Sequence, residues 1–224
     1  MEHKLEHRIL TGLDSVFRKR LDKLHVELAE QLQRDCAVMV DRAVREAETH
    51  TAETLSAAAR RLRTEESVTG VAAALVETTA HYAGRAALLI HKGDHLLGFK
   101  AEGLTDAQNS AFHRLEIPLE AAAAIAHAVD TKDPVVTTAS PNELSAPLAE
   151  VLNVRPESRV HLFPIVLRDS VLAVLYTDGL GSDREPETAA IELLTSLAEA
   201  WIEAVGARGK QPASNAAANG NEES

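Results

Sequence analysis

Residues Phe163–Asp178 read FPIVLRDSVLAVLYTD. Two runs rich in Val, Leu and aromatic side chains meet at Arg168-Asp169-Ser170, and the second run ends on an acid. Such residues favour a pleated, buried surface, and so short a polar connection folds the second strand back beside the first. Both runs are apolar at consecutive positions, which is the pattern of a sheet covered on both faces. A hairpin of this kind anchors a sheet able to enclose a small pocket.

On its C-terminal side, Pro186 starts a helix whose Ala190, Leu193, Leu194, Leu197, Trp201 and Val205 share one face. The segment 207–224 is rich in Gly, Ala, Asn, Ser and Glu, and a disordered tail is expected there. On the N-terminal side, the stretch Arg159–Leu167 contains the first hairpin strand, and Val171–Thr177 the second. Ser140-Pro141-Asn142-Glu143 forms a capping box with proline at the first helical position, predicting a helix toward Leu152 with a possible break at Pro147. Val135–Thr138 is a short strand, Glu120–Val129 an alanine-rich helix and Leu115–Leu119 a short strand. Thr105-Asp106-Ala107-Gln108 is a capping box opening a helix to about His113. Ala86–His91 and Leu96–Lys100 flank the turn Lys92-Gly93-Asp94, a further hairpin. A helix with Val68, Val71, Ala72, Leu75 and Val76 on one face precedes them, and Gly84 is its expected stop.

This order predicts an α+β fold: a central antiparallel sheet of about six strands with helices on both faces, spanning residues 65–206. Residues 1–64 differ. They contain no proline, and Leu13, Phe17, Leu21, Leu24 and Leu28 recur at steps of four, four, three and four. Leu32, Cys36, Met39 and Ala43 continue the stripe after one step of four in place of three. That is a coiled-coil seam with a stutter near Leu28–Leu32. About 60 helical residues would make a rod of about 90 Å, too long to bury its own stripe, so a second copy of the chain is the expected partner. The dimer seam is assigned to Phe17, Leu21, Leu24, Leu28, Leu32 and Met39.

Composition narrows the function. Charged residues make up 25% and hydrophobic residues 45% of the 224, as in ordinary soluble proteins. No apolar run approaches the roughly 18–20 residues of a bilayer span, and the N-terminus has no secretory apolar core. A single cysteine, Cys36, makes no internal disulfide, which fits a reducing cytoplasm. Residues 1–64 hold 12 Lys and Arg against 11 Asp and Glu, a balance of +1, so the remaining residues carry −12 of the net −11. An acidic domain repels phosphate backbones, and aromatics at 3% leave few base-stacking surfaces. Neither membrane nor nucleic acid is an expected partner.

The order of elements resembles a GAF domain. The matching landmarks are the helix entering the first strand (Val71–Ala86), Leu97-Gly98-Phe99 with Ala101-Glu102-Gly103-Leu104, Ile117-Pro118-Leu119, Ala128–Val136 and the closing hairpin. They run over about residues 66–206, roughly two thirds of the chain. The resemblance implies a small-molecule-binding or dimerising module strung on a signal-carrying helix. The Asn-Lys-Phe-Asp-Glu motif of the cyclic-nucleotide branch is absent. The domain also lacks the cysteines of the bilin-carrying and methionine-sulfoxide-reducing branches, so ligand and cofactor are left open.

For enzymatic chemistry the chain offers little. Ser170 and Ser182 sit in turns with no strained nucleophile elbow. His3 and His7 have helical ligand spacing but no third ligand, so no metal site is expected. His91 and His95 bracket a turn and face each other across the hairpin. The ligand-binding candidates are His127, which interrupts a small apolar helix, and the aromatics Phe99, Phe163 and Tyr176, for which core filling is the plainer role. Asp178 is read as capping its own turn, and Gly98, Gly103, Gly179 and Gly181 as scattered. The expected protein is a non-enzymatic, cytoplasmic, bacterial-type regulatory homodimer coupling a small molecule or partner protein to helix packing. The alternative is a scaffold whose pocket has collapsed under Ala121–Ala124 and Ala126, with the long helix docking a partner.

Overall fold

The hairpin forms as β5 (Arg159–Leu167) and β6 (Ser170–Asp178), paired antiparallel with Leu167 opposite Ser170. The two-residue loop, Arg168-Asp169, has φ of 48° and 66°. Positive φ at both loop residues matches the twist of the flanking strands. The computed structural model of the chain describes residues 51–180 and 185–208, with Gln31, Val38, Met39 and Thr49 as isolated positions. The chain divides between Thr54 and Leu55 into two units, and the sheet and its helices belong to the second. The expected seam at Phe17–Leu32, Cys36, the paired His3 and His7, Gly181, Ser182 and the expected tail beyond Arg208 lie outside the described residues. Met39 is helical and exposed.

Six strands make one antiparallel sheet in the order β3-β2-β1-β6-β5-β4. The others are β1 (Arg85–Lys92), β2 (His95–Glu102), β3 (Glu116–Pro118) and β4 (Val135–Thr138). Helical residues 51–63, here α1, precede α2 (Val68–Thr79). They are followed by α3 (Asp106–Phe112), α4 (Ala123–Thr131), α5 (Pro141–Leu144), α6 (Ala146–Leu152) and α7 (Thr188–Arg208). The fold is α+β with helices on both faces, as the element order predicts.

Strand alternation sends Ala86, Leu88, Phe163, Ile165, Ala173 and Leu175 to one face, where they meet Val71 and Leu75 of α2 and Ile191 and Leu194 of α7. Ala58 and Leu62 join this core, so the end of α1 is part of it. The intervening residues Ala87, Leu89, Val160, Leu162, Val174 and Tyr176 meet Phe112, Ile125, Leu144 and Leu148 of α3 to α6. A bulge between Ile165 and Val166 disrupts the β5–β6 ladder, and the Val166 amide donates to the Glu199 carboxylate of α7 at 2.6 Å. Burial holds the Glu199 carboxyl above its ordinary pKa, although the amide opposes the shift.

Local chemistry explains where helices start and stop. Thr105 and Gln108 make the reciprocal capping box. The helix expected from Ser140 to Leu152 is two helices, broken at Ser145 with φ of 77°. Pro147 lacks an N–H and its ring would strike the Glu143 carbonyl of a continuous helix, so the chain turns first. Ser145 then caps α6 by accepting the Leu148 amide at 3.4 Å, while Ser140 makes no side-chain cap. The segment Glu120–Val129 likewise starts as a 3-10 turn, Leu119–Ala121, before α4 begins. Helix α2 ends at Thr79, ahead of Gly84. Gly84 is required for a different reason: a Cβ there would lie 2.4 Å from the Gly179 carbonyl carbon. It is where the starts of β1 and the exit of β6 press together, and the Gly84 amide donates to the Asp178 carbonyl at 2.8 Å.

Candidate functional site

That close approach sets the end of the sheet at which β1 begins, β6 ends and β5 begins. The register puts Arg85 and Val160 on either side of Asp178. Arg85 follows the alternation of Ala87 and Leu89, and its guanidinium reaches the α3–α6 layer. There it donates to the Leu152 carbonyl at the end of α6. This helix end is also closed by Asn153 in the left-handed region, φ 49°, and a cation at exposed terminal carbonyls is favourable.

Arg85 and Asp178 are 4% and 2% exposed. Arg85 Nε stands 3.4 Å from Asp178 Oδ2, an ion pair in which Nε makes no hydrogen bond. Asp178 has two further contacts: Oδ2 accepts the Tyr176 hydroxyl, and Oδ1 accepts the Leu180 amide at 2.7 Å. The second contact is the turn cap expected of this residue; the first gives the buried phenol its partner. Burial, followed by the Asp178 charge, drives the Tyr176 pKa far upward, so the side chain stays a neutral donor.

A cleft of about 740 Å³ opens at this end. Its walls include Arg85, Gly103, Asn153, Arg155, Arg159, His161 and Asp178. His161, 7% exposed, lies parallel to Phe163 with ring centroids 6.4 Å apart, and its Nε2 has no partner. Burial, then the Arg159 charge, lowers its pKa, with Glu185 pulling the other way. Arg159 pairs with Glu185 at 2.7 Å on the exposed rim.

The structure does not gather the four ligand candidates. His127 is exposed on α4. Phe163 is buried and Phe99 half-buried in the core under α2 and α7, whereas Tyr176 is buried on the opposite face. Only Tyr176 touches the cleft's machinery, through Asp178. His91 and His95 have separate partners: His91 Nδ1 pairs with the Val171 carbonyl at 3.0 Å, and His95 Nδ1 with Asp94 at 2.6 Å. Arg85, His161, Arg155 and Arg159 were not singled out by the sequence. The available signal was a charged residue, Arg85, directly before an unbroken apolar strand. Gly84, Gly103 and Gly179, far apart in the chain, meet here: a Cβ on Gly103 would lie 2.9 Å from the Gly84 carbonyl oxygen.

Among the described residues no three His, Cys, Asp or Glu side chains converge as metal ligands, and no helix is long and apolar enough to cross a membrane.

The sequence matches no protein-family model and no curated protein. The fold matches solved structures. A GAF domain/HD domain protein from Geobacter sulfurreducens aligns over 66% of this chain and 99% of its own, with a TM-score of 0.54 and 15% identity. Residues 122 to 287 of a methyl-accepting chemotaxis protein align over 69% and 99%, with a TM-score of 0.57 and 16% identity. The free methionine-R-sulfoxide reductase of Neisseria meningitidis aligns over 70% and 90%, with a TM-score of 0.51 and 14% identity. The domain therefore has the GAF fold, which is shared by sensory proteins and by at least one enzyme.

Proposed function

We propose that this protein is a non-enzymatic sensory or regulatory module, in which a small molecule or partner protein at the end-of-sheet cleft biases the packing of the helices on the far side of the sheet. The observation that carries this reading is the buried Arg85–Asp178 pair. It lines the cleft and is built into β1 and β6, whose other face is the floor of the α1, α2 and α7 core. A ligand shifts such packing only through unequal affinity for two arrangements.

The helical side has a connection suited to that role. Trp201 of α7 donates Nε1–H to the Glu65 carbonyl at 3.0 Å, just beyond α1. Arg63 and Arg208 stand 6.0 and 5.1 Å from its ring centroid. Glu77 of α2 meets Arg61 at 3.5 Å and Lys100 of β2 at 2.9 Å. Movement of the sheet against α7 or α2 thus reaches the end of α1 and the residues just after it. In this reading residues 1–64 pair with a second copy along Phe17, Leu21, Leu24, Leu28, Leu32 and Met39, in a cytoplasmic homodimer.

The scaffold alternative has its own support, because Ala122, Ala124, Ile125 and Ala128 are buried and seat α4 closely on its core. Native mass spectrometry of freshly purified full-length chain, with a thermal-shift screen of nucleotides, amino acids and common metabolites, separates the two. A dimer carrying or stabilised by a small molecule, with a change in Trp201 emission on binding, supports the sensor. A chain stabilised by no compound, with unchanging emission, overturns it in favour of the scaffold.

A further inference from the structure

We infer that the end of α1 and the last turns of α7 form a docking surface for an acidic protein segment, a short stretch of Asp and Glu with an apolar residue to cover Trp201. This surface lies on the helical side of the sheet and does not rest on the cleft's being occupied.

The surface is built around one half-buried indole. Trp201 is held by its Nε1–H bond to the Glu65 carbonyl, and the guanidinium carbons of Arg63 and Arg208 stand 6.0 and 5.1 Å from its ring centroid. Both arginines are exposed. Arg60, also exposed, precedes Arg63 on α1 and donates to the Ser56 hydroxyl at 2.8 Å. Residues three apart are neighbours on a helix surface, so Arg60 and Arg63 project side by side. None of these three arginines forms an ion pair among the described residues, whereas Arg61 beside them is paired with Glu65 and Glu77.

Three unpaired cations gathered in one place need a reason in a chain whose residues after Thr64 carry a net −12. Helix dipoles supply part of it, since Arg60 and Arg63 lie in the last turn of α1 and Arg208 in that of α7. Each helix end presents only about half an elementary negative charge, so a positive surplus remains even after the exposed Glu66 is counted. An indole face orders a guanidinium without neutralising it and leaves its N–H edge free. That edge is a planar fork matched to a carboxylate. A patch this small within an acidic domain fits a short acidic segment. An extended polyanion, such as duplex nucleic acid or an anionic bilayer, would also meet the surrounding acids.

The test is fluorescence anisotropy of a labelled peptide of Asp, Glu and Leu with the full-length chain, against the same peptide carrying Asn and Gln in place of the acids. The acidic peptide is expected to bind saturably, to weaken as sodium chloride is raised and to shift the emission of Trp201, the chain's single tryptophan. The neutral peptide should do none of these. Arg63→Gln with Arg208→Gln, checked for folding by circular dichroism, is expected to weaken binding about tenfold or more, and Arg63→Lys with Arg208→Lys to restore part of it. The inference is overturned if the acidic peptide binds no better than the neutral one, or if the Gln variant binds as wild type does. It is also overturned, in favour of a polyanion surface, if duplex DNA or vesicles of anionic lipid bind through the same arginines more tightly than the peptide. Occupancy of the cleft is read separately, by the thermal-shift screen, and neither result decides the other.

Discussion

Arg85 and Asp178 stand directly opposite one another where β1 and β6 meet, their side chains almost fully buried and paired at 3.4 Å. A buried pair of this sort contributes little net stability compared with well-packed apolar residues, but breaking it strands a charge.

Asp178→Ala is therefore expected to destabilise the domain by about 3–5 kcal/mol, since it leaves Arg85 uncompensated and also frees the Tyr176 hydroxyl and the Leu180 amide. The double variant Arg85→Met with Asp178→Leu should lose clearly less than Arg85→Met and Asp178→Leu lose separately when those two losses are added to each other. Urea denaturation of the four proteins checks this; additive losses would show that the pair is not coupled.

Alkaline titration provides a second check. The chain has two tyrosines, Tyr82 and Tyr176, and burial raises the pKa of both, with Glu187 adding to the shift at Tyr82 and Asp178 at Tyr176. The folded state thus holds the phenol protons more tightly than the unfolded chain. Stability from this source is fully present below the unfolded value of about 10 and is lost as pH rises above it. Phenolate absorbance near 295 nm should not develop around pH 10 while the protein is folded. Its appearance there with near-ultraviolet dichroism intact would refute the burial of these hydroxyls.

At the acid end, His161 makes a distinct contribution. Its pKa is lowered in the fold by burial and by Arg159, with Glu185 opposing. Below the unfolded value of about 6.5 the unfolded chain binds more protons, so this part of the stability is lost as pH falls toward the folded pKa. His161→Gln should flatten the stability profile just below pH 6.5, read by thermal unfolding across buffers.

The β5–β6 loop is open to improvement. Asp169 sits at φ 66°, where glycine is unstrained. Asp169→Gly should stabilise the domain by about 0.5–1 kcal/mol, measured as a higher urea midpoint with unchanged slope. A lower midpoint would mean that the turn is held by something other than its backbone preference.

Much of the fold was legible because its signals are local. Thr105 and Gln108 are three residues apart and cap each other whatever surrounds them. The Arg168-Asp169 connection leaves only a hairpin between two apolar runs. The break at Ser145 was placed two residues late, at Pro147, because the proline forces the turn without specifying which preceding bond absorbs it. The binding candidates fared differently. Phe163 and Tyr176 differ by an odd number of positions on strands whose register decides the face, and register emerges only when the strands pair.

The order of apolar runs, caps and turns was enough to determine a six-stranded antiparallel sheet between two helical layers, since each element is selected by contacts within a few residues. The cleft was decided by tertiary structure alone. Arg85, Leu152, His161 and Asp178 belong to separate segments that meet only after the sheet closes, and their charge pairing, lost hydration and unpartnered nitrogens follow from that burial, not from any spacing along the chain.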